Sequence, residues 1–245
     1  MSEIELILFT LLITFIASVV SFITGFGLST IMISSLVMVL PVVPVVMLVG
    51  VIHWVHNLWK FLLYRNKVNR NIVIFFGIPA LVMSYIGAVL FTHSTYDFLH
   101  RLLGLFLMVY VLIVFIRPSL RLKPSKETLI GGGLVTGFFA GLFGIRGVIR
   151  STTLSSFDLP KKEYIATTGF IGLIVDSMRL ATYWQQGSFV FDERWRIALL
   201  PLIIVSFLGA LIGRYIVSFI PQKKFRSVVL AFIFIIGLKL FMWPA

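Results

Sequence analysis

The sequence predicts an all-α integral membrane protein built from two inverted-topology repeats, residues 1–121 and 122–245. Each repeat is expected to be a Gly-rich broken or re-entrant helix pair followed by three transmembrane helices. Three observations carry this: the chain is too apolar for a soluble fold, its second half repeats its first, and its basic residues gather in alternate loops. Of 245 residues, 59% are hydrophobic and 12% charged, and the mean hydropathy is +1.06. A soluble domain carries roughly 25% charged residues. The apolar stretches are continuous rather than alternating, which excludes a barrel and leaves a helix bundle. The chain is therefore expected to be multi-pass in a cell's inner (plasma) membrane, with the lipid bilayer as its main partner. There is no cysteine, so disulfides and thiolate metal sites are excluded. A net charge of +12 would point to nucleic acid in a soluble protein. Here it falls in short loops and reads as topology, so no nucleic-acid partner is expected.

The first segment, about Ile4–Thr24, follows two glutamates and no basic residue, unlike a cleavable signal, and is expected to be retained. Segment two, Leu28–Leu40, is short and follows "TGFG". Segments three (Val45–Leu63), four (Ile72–Phe91) and five (Phe98–Ile116) complete the first repeat. The basic linker "RPSLRLKPSKE" separates the halves. Six (Leu129–Phe143) and seven (Val148–Phe157) are again short, and eight (Tyr164–Trp184), nine (Trp195–Ile216) and ten (Phe225–Met242) follow. A full span needs about 20 residues, so two, six and seven read as half-helices or a re-entrant hairpin. Trp184, Trp195 and Trp243 fall at segment ends, where an interface belt would have them.

The repeat shows when "GFGLSTIMISSLVMVLP" is set beside "GIRGVIRSTTLSSFDLP". Gly27 falls on Gly147, Ser35 on Ser155 and Leu40–Pro41 on Leu159–Pro160. Gly50 then meets Gly169, Lys60 meets Arg179, Tyr64 meets Tyr183 and Pro79 meets Pro201. Thirteen of the 21 Lys and Arg lie in Tyr64–Asn71, Arg117–Lys126, Asp158–Glu163 and Arg214–Arg226, which makes these the inner loops. The loop after segment three is then inside and its mate after segment eight outside. The halves are thus inverted, with both termini on the outer side.

Inverted repeats with broken helices are a secondary-transporter design, with substrate near the midplane at the breaks. Glycines at Gly25, Gly27, Gly144 and Gly147 permit close backbone approach there. A half-helix starting after each break turns free N–H groups toward the midplane, a site suited to an anion. Ser29 and Thr30 follow the first break, and Ser151 and Thr152 the second, with hydroxyls that can donate to oxyanions. Arg146 and Arg150 lie four apart, share a face if helical, and have no carboxylate nearby in sequence. Either a small anionic substrate is their counter-ion, or they serve helix-end carbonyls or lipid phosphate.

These features, with "KVNRNIVIFFGIPALVMSYIGAVL", "GLFGIRGVIRSTTLSSFDLPKKEYIATTGFIGLIVDSMRLATY" and "WRIALLPLIIVSFLGALIGRYI", resemble the TauE/SafE family of permeases, the sulfite exporter or toluene sulfonate uptake family. The resemblance covers essentially the whole chain. It implies a permease that moves a small sulfur-containing anion such as sulfite or an organosulfonate. One departure stands out. The family has a run of glycines ending in a further proline where this chain reads "GIRGVIRST", and Arg146 stands where a glycine is usual. That implies a shifted substrate preference.

On segment three, His53, Asn57, Lys60 and Tyr64 share a helical face, with His56 beside them. By the repeat they correspond to Gly172, Asp176, Arg179 and Tyr183. Intramembrane ionisable residues are functional candidates. His53, His56, Asn57, Asp176 and Arg179 are the coupling or gating candidates, and histidine leaves protons open as the coupling ion. The structural alternatives are an interhelical hydrogen bond at His53 and an internal Asp176–Arg179 ion pair. No enzyme is expected: no paired carboxylates, metal-ligand cluster or cofactor motif is visible. A passive anion channel and a non-transporting scaffold subunit are the other readings, and a homo-oligomer stays open.

Overall fold

The computed structural model describes residues 2–24, 28–116, 122–187, 193–216 and 222–242. Among them all regular structure is helical. In chain order the elements are α1 (Glu3–Thr24), α2 (Leu28–Leu36), α3 (Val42–Tyr64), a 3-10 turn (Arg65–Lys67), α4 (Arg70–Ile72), a π turn (Val73–Gly77) and α5 (Ile78–His93). Then come α6 (Tyr96–Ile116), α7 (Lys126–Phe143), α8 (Gly147–Ser155), α9 (Lys161–Gln185), α10 (Glu193–Ile216) and α11 (Gln222–Met242). Six stretches among the described residues are long and apolar enough to cross a bilayer: Glu3–Ser21, Val42–Leu62, Arg70–His93, Tyr96–Ile113, Lys162–Gln185 and Trp195–Gly213. The chain is a multi-pass membrane protein.

Every expected segment contains a helix among its described residues. Segment two ends at Leu36, four residues short of the expected Leu40. Segment three starts at Val42 because Pro44 sits in its first turn, where a missing N–H costs nothing. Helix α7 starts earlier than segment six and reaches 18 residues, capped by Ser125, whose Oγ accepts from the Thr128 N–H at 3.2 Å. Segment four runs Arg70–His93 with the π turn inside it. Pro79 explains the turn: it has no N–H to donate and its ring crowds the carbonyl four residues back. Order and length recur between the halves, with α2 and α8 both 9 residues and α6 and α11 both 21. The first expected break, Gly25 and Gly27, lies outside the described residues, as does Trp243. Trp184 is exposed at the end of α9, and Trp195 is buried in the first turn of α10.

The chain forms two compact units, each drawing on both sequence halves. One comprises Met1–Val49, Ser94–Ser119 and Phe191–Ala245. In it α1 packs on α10 and α6 on α11. Gly209 admits the Phe15 carbonyl, Gly104 admits the Gly237 carbonyl, and Ser18 bonds Ser206 at 3.2 Å. Small residues at such crossings let helices approach without a hydrophobic drive in lipid.

The second unit comprises Gly50–His93 and Leu120–Val190. Gly133, Gly137 and Gly141 lie one turn apart on α7 and meet the backbones of Phe76, Ala80 and Ser84. Beside this seam Phe76, Ala80, Leu129, Ala140, Leu154, Ile171 and Val175 form an apolar core. Helix α9 is tied on by Ser84 Oγ, which donates to the Val175 carbonyl at 3.2 Å. All the ionisable candidates of α3, α8 and α9 fall in this unit.

Candidate functional site

The site begins at a helix break. Gly144 ends α7 in the left-handed conformation, φ 71°, and its N–H donates to the Ala140 carbonyl at 2.8 Å. Two residues later Arg146 occupies the N-cap position of α8, and its carbonyl receives the Arg150 N–H at 3.1 Å. The break thus places the Arg146 side chain among the side chains of α3 and α9.

There it meets Asp176. Arg146 Nη1 donates to Asp176 Oδ1 at 2.7 Å, and Nη2 bonds Oδ2 as well, a bidentate fork. Arg179 Nε donates to the same Oδ1 at 3.0 Å. Asn57 Nδ2 donates to Oδ2 at 2.9 Å. Asp176 is 0% exposed, so these donors supply the partners that a buried carboxylate needs. Two donors, Arg146 Nη2 at 2.5 Å and Asn57 Nδ2 at 3.0 Å, converge on His53 Nδ1. Asp176 Oδ2 lies 3.2 Å from the same nitrogen, so Nδ1 accepts from the two donors when Nε2 carries the ring hydrogen and donates to the carboxylate in the other tautomer.

Glycines make the room. The Arg179 guanidinium fills the space that a Cβ on Gly144 would occupy, and it also packs against Gly50. Gly172 admits the Asn57 amide. Tyr183 closes the end of the cluster, with its hydroxyl donating to the Gly141 carbonyl at 2.5 Å and its ring 5.0 Å from Phe91.

The contacts between α3 and α9 come in exchanged pairs under the 119-residue offset of the repeat. Gly50 lies against Arg179 and Leu180; its mate Gly169 lies against their mates, Lys60 and Phe61. His53 is 3.2 Å from Asp176; its mate Gly172 touches Asn57, the mate of Asp176. Asn57 and Asp176, mates of each other, bond directly. Partner numbers fall along α9 as they rise along α3, so the two helices cross antiparallel about that central bond.

Arg150, one turn into α8, is set apart. It is 8% exposed, and its Nε and Nη1 have no hydrogen-bond partner. The Tyr164 hydroxyl bonds it, and Arg146 and Asp176 lie within electrostatic range. Lys60 and His56, both half-buried, lie in the same neighbourhood.

The structure thus brings together Arg146, His53, Asn57, Asp176 and Arg179, with Arg150, His56 and Lys60 nearby. Arg146 has the carboxylate that its sequence neighbourhood lacks. Ser151 and Thr152 are half-buried on α8, and Gly147 is its first residue. Ser29 and Thr30 are buried on α2 in the other unit. Tyr164 and Gly50 were missed as site residues. Tyr164 sits 14 residues from Arg150 across Pro160, and no periodicity links the two. The 119-residue offset did pair Gly50 with Gly169 and Lys60 with Arg179, but not the glycine with the arginine. A separate surface cavity of about 400 Å³, lined by Asn66–Asn71 and Glu163, shares no residue with the cluster. Among the described residues no three metal-ligating side chains gather.

No curated protein and no solved structure matches the chain. The family model described as sulfite exporter TauE/SafE matches residues 10–240, nearly the whole length. The chain belongs to the TauE/SafE family of membrane transporters.

Proposed function

We propose that the protein is a secondary transporter that carries a small sulfur-containing oxyanion, sulfite or an organosulfonate, across the inner (plasma) membrane. The observation that carries this reading is the charge of the buried cluster. Arg146, Arg150, Arg179 and Lys60 gather around one carboxylate, Asp176. Buried cations in excess call for an anion, and guanidinium groups suit oxyanions. Membership of a family described as sulfite exporters supports the chemical class.

Transport is by alternating access at a midplane site where α3 of the first repeat meets α8 and α9 of the second. The exchanged α3–α9 contacts support inverted repeats, because a dyad through the Asn57–Asp176 bond relates antiparallel helices. Protons are the coupling ion, through His53. With the ring hydrogen on Nε2, Nδ1 accepts from Arg146, so a proton arriving there removes an acceptor and places a second charge beside the guanidinium. Arg146 is then pushed off Asp176 and turned toward the anion.

The test is flux into liposomes holding the purified protein, with sulfite outside and an imposed pH gradient. Accumulation that follows the gradient is expected. In His53→Gln, accumulation should be lost while anion exchange persists. Flux indifferent to the gradient would leave a passive channel, and no flux with any anion would leave a scaffold.

A further inference from the structure

We propose that the buried cluster selects its anion by charge, taking a doubly charged oxyanion over a singly charged one, and that Arg150 sets this preference. The inference rests on the reading of the cluster as an anion-transport site and narrows the substrate within it. Arg146 and Arg179 already share Asp176, so that triad carries a single positive excess. Arg150 adds a second, held in an 8% exposed side chain with Nε and Nη1 unpartnered. Its bonded neighbour is the Tyr164 hydroxyl. Among the described residues no carboxylate lies within ion-pairing distance of it. Lys60 increases the positive potential rather than relieving it.

A monoanion satisfies one excess cation and leaves another buried beside it. A dianion engages both the triad and Arg150, and its further oxygens accept from the free Arg150 nitrogens. Charge number is therefore a stronger discriminator here than shape. Sulfite as its dianion is favoured over an organosulfonate, which carries one charge whatever its tail. A lipid phosphodiester is also singly charged, so the same argument separates a free dianion from a lipid headgroup.

The experiment is calorimetric titration of the purified full chain with sulfate and thiosulfate as dianions. Methanesulfonate, nitrate and dimethyl phosphate serve as monoanions, all at one ionic strength. Dianions are expected to bind at least about tenfold more tightly, a free-energy difference of about 1.4 kcal/mol. Arg150→Gln should weaken the dianions about tenfold or more and bring both classes within about threefold of each other. Arg150→Lys, which keeps the charge, should bind less tightly but retain the preference. Melting temperature reports whether each variant is folded, and the wild-type comparison stands without either. Equal or tighter binding of monoanions overturns the proposal, as does a folded Arg150→Gln that keeps the preference. Preferential binding of dimethyl phosphate would make Arg150 a lipid anchor and overturn it too. Binding without discrimination sinks this inference alone, whereas failure of every anion to bind sinks the transport reading with it.

Discussion

Asp176 and Arg150 should respond in opposite ways when their charges are removed. Asp176→Asn leaves Arg146 and Arg179 facing each other in a buried site without their counter-ion. Breaking a buried pair from one side costs roughly 3–5 kcal/mol. Arg150→Ala removes a guanidinium whose Nε and Nη1 are unpartnered, so it should cost under about 1 kcal/mol or add stability. Melting temperatures in detergent give the comparison, and equal losses would overturn the assignment. Arg146 falls between the two. Sequence reasoning places it with Arg150, because no carboxylate lies near either in the chain. The fold instead supplies Asp176, thirty residues on, so Arg146→Ala should also destabilise, by less than Asp176→Asn because Arg179 still holds the carboxylate. The Asp176–Arg179 pair was legible, being three apart on one helix. The Arg146–Asp176 pair was not, because it depends on where the α7–α8 break aims a side chain, and spacing carries no information on that.

Glycine substitutions separate conformational strain from crowding within single elements. Gly144 and Gly187 both have positive φ, 71° and 67°, and an alanine at either costs about 1–2 kcal/mol of backbone strain. A Cβ on Gly187 meets nothing within 4 Å, whereas one on Gly144 runs into the Arg179 guanidinium. Gly144→Ala should therefore be worse by a further 1–3 kcal/mol or so, the usual range for overpacking. Similar melting temperatures for the two variants would show that Arg179 is not held against the break. On α7 the contrast is between Gly137, pressed on the Ala80 backbone, and Gly131, with open space around it. Gly137→Ala should destabilise, and Gly131→Ala should stabilise by up to about 1 kcal/mol through helix propensity. The elements themselves were legible because continuous apolar runs in lipid have helix as their only local solution. Their ends were not. The early start of α7 rests on a Ser125 cap, and the π turn before Pro79 rests on a carbonyl clash. Both are local events that leave hydropathy unchanged.

Across the whole molecule the sequence carries an ordered run of matched residues between its halves, and α3 and α9, which carry part of that run, cross antiparallel. The compact units were not readable, because each gathers segments from both halves and hydropathy carries no pairing information. Inversion can be tested with reporters at matched loop positions. The chain has no cysteine, so single cysteines need no background substitution. Asn66 lies in the basic turn after α3, and Gln186 just past the end of α9, so the two follow the helices whose sequences match at the 119-residue offset. In an inverted pair they must emerge on opposite sides; in a parallel pair, on the same side. Loop charge assigns Asn66, beside Arg65 and Lys67, to the cytoplasm, and Gln186, in a loop without basic residues, to the outside. Gln186→Cys should therefore react with an impermeant maleimide in intact cells, and Asn66→Cys only after permeabilisation. Asn66 is exposed and Gln186 ends a helix, so neither change should disturb the fold. Swapped labelling would reverse the orientation and leave the inversion intact. Labelling of both from the same side would remove the inversion, and with it the dyad through Asn57 and Asp176 on which the alternating-access reading leans.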